Sequence, residues 1–322
     1  MVSTAADDKV KMNFPSVRPS LFTIPLGLGG LYTCWAIATT IPLSTRLWVG
    51  DALYWPTFGI FVLLLLFWAI PTARHPIAFI ENVKDPVTGS LNSLIPLSGM
   101  VVAAGLYSYE PSVAYALFII MFCWTIGLGG LWTWYWIQRN SSVAQQYPGN
   151  YLPLAAGGFI GAITSARLGL EALGIAGFCI GIIFWLPIGS VSLRSLVSAP
   201  TVPHELLPTL AIEFAIPGLA GRAYFGLTDY RIDVISAVFA AYTVLLLLLQ
   251  FRFLPFYRTL KFSLGYWSFS FPFGTVSAYC IQWLNQARPP GNLFFELSVL
   301  GLITLLIGAL GYRSLVFLIA HR

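Results

Sequence analysis

Charge is what this sequence most lacks. Only 9% of its 322 residues are Asp, Glu, Lys or Arg, against about 25% in a soluble domain, so the chain cannot cover a water-facing surface of ordinary size. Histidine is nearly absent: His75, His204 and His321 lie far apart. The four cysteines (Cys34, Cys123, Cys179, Cys280) sit singly in apolar runs, without the spacing of a metal site, and read as small core hydrophobes. No phosphate-binding G-x-x-x-x-G-K-[ST], no H-E-x-x-H and no G-x-S-x-G occurs. These absences argue against an enzyme and lead us to expect no catalytic residue, cofactor or metal. Alternating segments of about ten residues, the mark of a membrane barrel, are also missing. The first 20 residues lack the basic, apolar and small-residue order of a cleaved signal peptide, and residues 1–20 read as a short cytoplasmic tail.

What fills the chain instead is apolar: 57% of residues are hydrophobic and 16% aromatic. The apolar residues gather in runs of about 20, the length that crosses a hydrocarbon core as helix. Ten spans are expected, at 21–41, 48–70, 91–108, 113–137, 151–169, 171–193, 205–227, 231–253, 261–285 and 293–318. The fold class is therefore an all-α integral membrane protein with one transmembrane domain over 21–319. An even number of spans puts both ends on one side. With the ends inside, that side carries Lys9, Lys11, Arg18, Arg74, Lys84, Arg139, Arg194, Arg252, Arg258, Lys261, Arg313 and Arg322, and the other only Arg46, Arg167, Arg222, Arg231 and Arg288. Cytoplasmic loops of membrane proteins are the basic ones, so both termini are expected in the cytoplasm of a plasma or inner membrane. The net charge of +5 is explained by this placement and needs no nucleic-acid partner. The connections on the other side are very short, making consecutive spans antiparallel hairpins. Arg167 and Glu171 are expected to pair at one of these turns.

A repeat runs through the odd-numbered spans. They contain IPLGLGGL at Pro25, LIPLSGM at Pro96, YLPLAAGGF at Pro153, FAIPGLAG at Pro217 and FSFPFGTV at Pro272. Proline in a membrane helix removes a hydrogen bond and bends the chain, and the freed carbonyl must be satisfied by protein or water. Proline is also commoner in membrane helices generally. Its recurrence on alternate spans favours five kinked inner helices around a shared interior, backed by five outer ones, with pseudo-fivefold symmetry. Axes packed about 8–10 Å apart on such a ring leave a hole of about 2–3.5 Å radius once a helix's own half-width is removed. That admits a small ion and excludes a sugar or nucleotide. Phe271, immediately before Pro272, could plug it; alternatively it is one core aromatic among 24 phenylalanines.

The segments FTIPLGLGGL, KDPVTGSLNSLIP, YLPLAAGGF and GYWSFSFPF resemble the SLAC1/TehA family. That family joins bacterial tellurite-resistance proteins, plant guard-cell anion channels, and yeast malate and sulfite transporters. The resemblance implies a homotrimer in which each subunit has its own pore, closed by a phenylalanine of the ninth helix that falls on Phe271. It also implies that residues near the prolines line the bore, namely Phe22, Leu26, Leu97, Leu154 and Gly218. The expected function is a gated channel for small anions. The alternative is a proton-coupled transporter or exporter of oxyanions such as tellurite or sulfite, or of C4-dicarboxylates. Glu213, four residues before Pro217, departs from the family pattern. It is open as a proton-coupling group, a charge that disfavours anions, or a structural carboxyl. Arg18, Arg258 and Lys261 would concentrate anions at the inner mouth, and Arg222 would lie at the outer one.

Overall fold

In hydrocarbon every backbone N–H and C=O must find a partner within the protein, and a helix supplies one locally. The computed structural model describes residues 17–85, 89–138, 148–198, 210–259 and 262–320, and there the regular structure is all helical. In chain order the helices are α1 (Thr23–Ile37), α2 (Leu43–Arg74), α3 (Pro76–Lys84), α4 (Leu94–Leu106), α5 (Pro111–Gln138), α6 (Gly157–Leu168), α7 (Glu171–Ser198), α8 (Leu210–Leu227), α9 (Val234–Thr259), α10 (Ser270–Ala287) and α11 (Asn292–Ala320). Most of the expected tail (residues 1–16) and Lys261 lie outside the described residues, as does the side chain of Arg258.

Apart from the short α3, the helices fall into two kinds. α2, α5, α7, α9 and α11 have 26–32 residues and turn large apolar side chains outward, among them Leu63, Phe67, Ile120, Ile183, Leu248 and Leu305. The others are shorter, at 12–18 residues, and mostly buried. Among the described residues seven segments are long and apolar enough to cross a membrane, rather than the ten expected. α6, α8 and α10 fall short. Behind other helices a span meets protein rather than lipid, so it can be shorter or carry Glu213, Arg222 and Gln282.

Four of the short helices begin with a change of winding. Tighter 3-10 turns over Pro19–Phe22, Gly89–Ser93 and Leu264–Phe269 lead into α1, α4 and α10. α6 follows a 3-10 turn at Pro148–Tyr151 and a wider π-helical turn at Leu152–Ala156. Pro25, Pro96 and Pro272 occupy first turns and Pro153 the π turn, where sequence alone suggests bends in mid-helix. In a first turn the N–H that proline lacks has no α-helical partner to lose, so the break costs little. Only Pro217 stands inside its helix.

Each short helix packs on the long one that follows it: α1 on α2, α4 on α5, α6 on α7, α8 on α9 and α10 on α11. The short helices also pack on one another, α1 on α4, α4 on α6, α6 on α8, α8 on α10, and α10 back on α1. The turn from α6 to α7 closes at Gly169, whose φ of 72° lets Leu170 N–H reach back to Ser165 O at 2.9 Å; a side chain would strain this left-handed cap.

The α6–α7 seam shows how closely the layers meet. A Cβ on Gly158 would lie 2.5 Å from both the carbonyl oxygen of Gly177 and the nitrogen of Gly181. Of the two G-x-x-x-G pairs in the sequence, Gly177 and Gly181 face α6, whereas Gly157 and Gly161 face Thr125 and Phe122 of α5. Backbone cannot rotate out of the way, so Gly158→Ala should destabilise by about 1–3 kcal/mol, the usual cost of overpacking. Gly59→Ala, with nothing within 4 Å, should be neutral or mildly stabilising. Thermal unfolding of the two variants in detergent checks this, and a midpoint for Gly158→Ala at or above wild type contradicts the tight seam.

Candidate functional site

A helix presents one stripe of residues, spaced three or four apart, to whatever it faces. Five helices here turn such a stripe to the same cavity, of about 310 Å³. From α1 come Gly30, Thr33 and Ile37, and from α4 Val101, Ala104 and Gly105. α6 adds Ile160, Thr164 and Arg167, and α8 adds Leu219, Arg222 and Gly226. α10 supplies Phe271 and Gln282. The glycines serve close packing: a Cβ on Gly105 would strike Tyr54, and one on Gly226 would lie 3.0 Å from Ala166 Cβ.

Phe271 belongs both to this lining and to the apolar cluster containing Phe22, Leu26, Leu97 and Ile216. Its ring is 7% exposed, so it stands between open volume and packed core. The start of α10 that carries it is held firmly. Ser270 Oγ donates to Trp267 O at 2.6 Å and lies 3.4 Å from Thr23 O. Trp267 Nε1 donates to Ser314 Oγ of α11 at 2.9 Å. Glycine brings α1 against α10: a Cβ on Gly27 would overlap Ser270 Oγ, and one on Gly30 would lie 3.6 Å from Gly274 Cα.

The cavity is basic. Arg222 is only 7% exposed, its Nε is buried without a hydrogen-bond partner, and no carboxylate pairs with it among the described residues. Gln282 Oε1 is likewise buried and unpartnered. A second cavity, also about 310 Å³, shares Ile37, Tyr230 and Gln282 with the first and adds Arg46 and Arg288. The two linings together carry four arginines, Arg46, Arg167, Arg222 and Arg288, against one acid, Asp229. Asp229 and Tyr230 form the α8–α9 turn with φ of 48° and 58°. Just beyond it, Tyr224 OH donates to Asp233 Oδ2 at 2.5 Å and Ser236 N–H to Oδ1 at 3.0 Å. The Tyr224 bond first, then that N–H, hold the Asp233 carboxyl below its ordinary range.

Of the residues picked from sequence, Phe271 lines the first cavity, and Phe22, Leu26, Leu97, Leu154 and Gly218 do not. Phe22 packs edge-on to Phe61 of α2 at 6.2 Å between centroids. Leu154 fills the space over Gly129 of α5, and a Cβ on Gly218 would face Val276 and Thr243 at 3.6–3.7 Å. Glu213 is buried at the start of α8 and is absent from the lining. Nine residues of helix turn through about 900°, which puts Glu213 and Arg222 on opposite faces. Arg167 does not pair with Glu171; its Nε donates to Ala104 O at 2.7 Å and its Nη2 to Ser108 Oγ at 2.8 Å, tying α6 to α4. Those acceptors are closer to the ring of helices than a carboxylate on the neighbouring turn.

Arg222, expected at the outer mouth, is buried in the cavity wall. One buried ionisable group was not picked out from sequence. Glu296 of α11 is fully buried, with Oε2 accepting from Thr40 Oγ1 at 2.6 Å and Thr40 N at 3.3 Å. It caps the turn between α1 and α2.

Comparison with known proteins bears on what such a cavity serves. The SLAC1 family profile, described as voltage-dependent anion channel, matches residues 16–315. The tellurite resistance protein TehA homolog of Haemophilus influenzae is 26% identical over 261 residues, covering 80% of this chain and 78% of the relative. Two S-type anion channels of Arabidopsis thaliana also match. SLAH3 is 25% identical over 312 residues, covering 90% of this chain and 47% of the channel, and SLAH2 is 26% identical over 292 residues, covering 87% and 55%. The chain thus spans about half the length of the plant channels. A family match over nearly the whole chain, on an all-helical membrane fold, shows that the protein belongs to the SLAC1 family of anion channels and transporters.

Proposed function

We propose that this protein is a gated anion channel in which α1, α4, α6, α8 and α10 ring a single conduit and Phe271 closes it. The observation that carries this reading is the position of Phe271, with a five-helix basic cavity on one side and packed apolar residues on the other. The closed order of neighbours among the short helices supports the ring, with each long helix as outer backing. Pseudo-fivefold symmetry then follows from five repeats of one hairpin, four of them with the proline at the start of the short helix and α8 with Pro217 inside it. The anion sense of the conduit rests on the four arginines and on helix N-termini that begin near the level of Phe271, whose N–H groups favour negative charge without gripping it. Apolar packing around Leu26 and Leu97 completes the barrier in this closed state. Small anions would reach the cavity from outside, with both termini cytoplasmic, and three subunits would assemble with separate pores. Membership of an anion-channel family sets the protein among transport proteins rather than enzymes.

A second reading is favoured by one observation, a carboxyl buried in a membrane helix. Glu213 would then couple proton movement to export or import of an oxyanion or dicarboxylate. Because it faces away from the cavity, it would act by shifting α8 at Pro217 rather than by touching the cargo.

Reconstituted in liposomes, Phe271→Ala should raise chloride flux about tenfold or more, equivalent to a barrier lowered by about 1.4 kcal/mol. Flux that stays at the wild-type level in folded protein removes the gate. In a background without the native cysteines, Ala104→Cys on the cavity wall should react with a charged, membrane-impermeant thiol reagent. Ile95→Cys, fully buried, should resist it, and equal labelling of the two would contradict a closed floor. For the second reading, Glu213→Gln should abolish anion accumulation driven by a pH gradient while leaving passive flux unchanged. If wild type accumulates no anion under that gradient, the channel reading stands alone.

A further inference from the structure

We infer that Arg222 and Gln282 form a binding site for a small oxyanion in the cavity next to Phe271. A guanidinium kept from water is costly unless something pairs with it, and native proteins almost always supply a partner. Here the side chain is more than nine-tenths buried, makes no hydrogen bond to a described residue, and borders a cavity large enough for an ion and its remaining water. The other charges on that wall do not neutralise it. Arg167 is spent on Ala104 O and Ser108 Oγ, and Asp229 sits on the turn beyond the end of α8. The missing partner is therefore an anion that comes and goes.

The class of anion follows from the donors. A guanidinium offers parallel N–H groups in a planar fork, which match two oxygens on one atom and are wasted on a spherical halide. Gln282, on the helix carrying Phe271, lines the same cavity and would offer the Nε2 amide as a donor, its Oε1 being an acceptor that an anion does not satisfy. Arg46 and Arg288 line the adjoining cavity that shares Gln282, so an anion approaches through positive potential all the way. A site that holds the ion by one charge in open volume is weak enough to release it. This inference deepens the channel reading, on which its purpose rests: the site is where an anion waits for Phe271 to move.

The test is equilibrium binding, which does not depend on conduction. Sodium formate and sodium chloride are titrated into purified protein in dilute zwitterionic buffer, and the thermal midpoint is followed. Formate should raise the wild-type midpoint saturably and at lower concentration than chloride. Arg222→Gln should need about thirtyfold or more formate for the same effect, as expected when one partner of a desolvated charge pair is removed. In the absence of added salt, Arg222→Gln should unfold at or above the wild-type temperature, because it relieves an unpaired buried charge. Should Arg222→Gln not fold, Arg222→Lys carries the test, with a weaker formate response. Gly59→Ala, which lines neither cavity, should bind formate as wild type does, and the flux of Phe271→Ala is read separately in liposomes, so loss of the gate and loss of the site are separate results. The inference is overturned if wild type gives no saturable formate response, if chloride acts at the same concentration, or if the Arg222 variants respond as wild type does.

Discussion

The contact of α1 with α10 is the constraint on which the rest depends. It joins residues about 240 positions apart: Cys34 Sγ lies 3.4 Å from Gly274 O, Asn285 Nδ2 donates to Ile37 O at 2.7 Å, and Thr39 Oγ1 donates to Asn285 Oδ1 at 2.6 Å. Glycine at Gly27, Gly30 and Gly274 is what permits the approach. Without this seam the first and last short helices would have no common side, and Phe271 would have no fixed place. Because it is among the most non-local contacts of the described residues, its closure entropy is large, and it stands late in any folding order governed by loop closure.

The two kinds of helix answer to different solvents. Long helices turn large apolar side chains outward, as hydrocarbon surroundings reward. Short helices meet other helices, so they can place glycine, threonine, glutamine and even arginine where the interior calls for them. Shortness is itself useful, since the 3-10 and π turns before α1, α4, α6 and α10 re-aim the chain at the level of the prolines.

Much of this was legible in the sequence because its signals are local. Apolar runs mark spans, and a proline followed by small residues marks each short helix wherever it occurs. Phe271 stood out because it lies beside one of those prolines and at the position the family resemblance marks, and it lines the cavity. The cavity wall was not. It takes about one residue per turn from five separate helices, and no local pattern says how far each helix is rotated about its axis. That is why Leu154 and Gly218, chosen for their nearness to prolines, face outer helices. It is also why Glu213 drew more attention than Arg222, although the two differ by half a rotation and only Arg222 reaches the cavity. Glu296 was hidden differently, since its partner Thr40 is more than 250 residues away in the chain.

The length of α2 has a consequence of its own. Its 32 residues make a rod of about 48 Å, some 18 Å more than the hydrocarbon slab of about 30 Å. Such a mismatch is met by leaning or by projecting into the headgroup layer. The first turns of α2 mix Ser44, Thr45, Arg46 and Asp51 with exposed Leu43, Leu47 and Trp48, a composition suited to the boundary layer, and Arg46 there walls the second cavity. On the channel reading, an ion passing Arg46 would do so near the headgroup layer and would feel the surface potential of the surrounding leaflet.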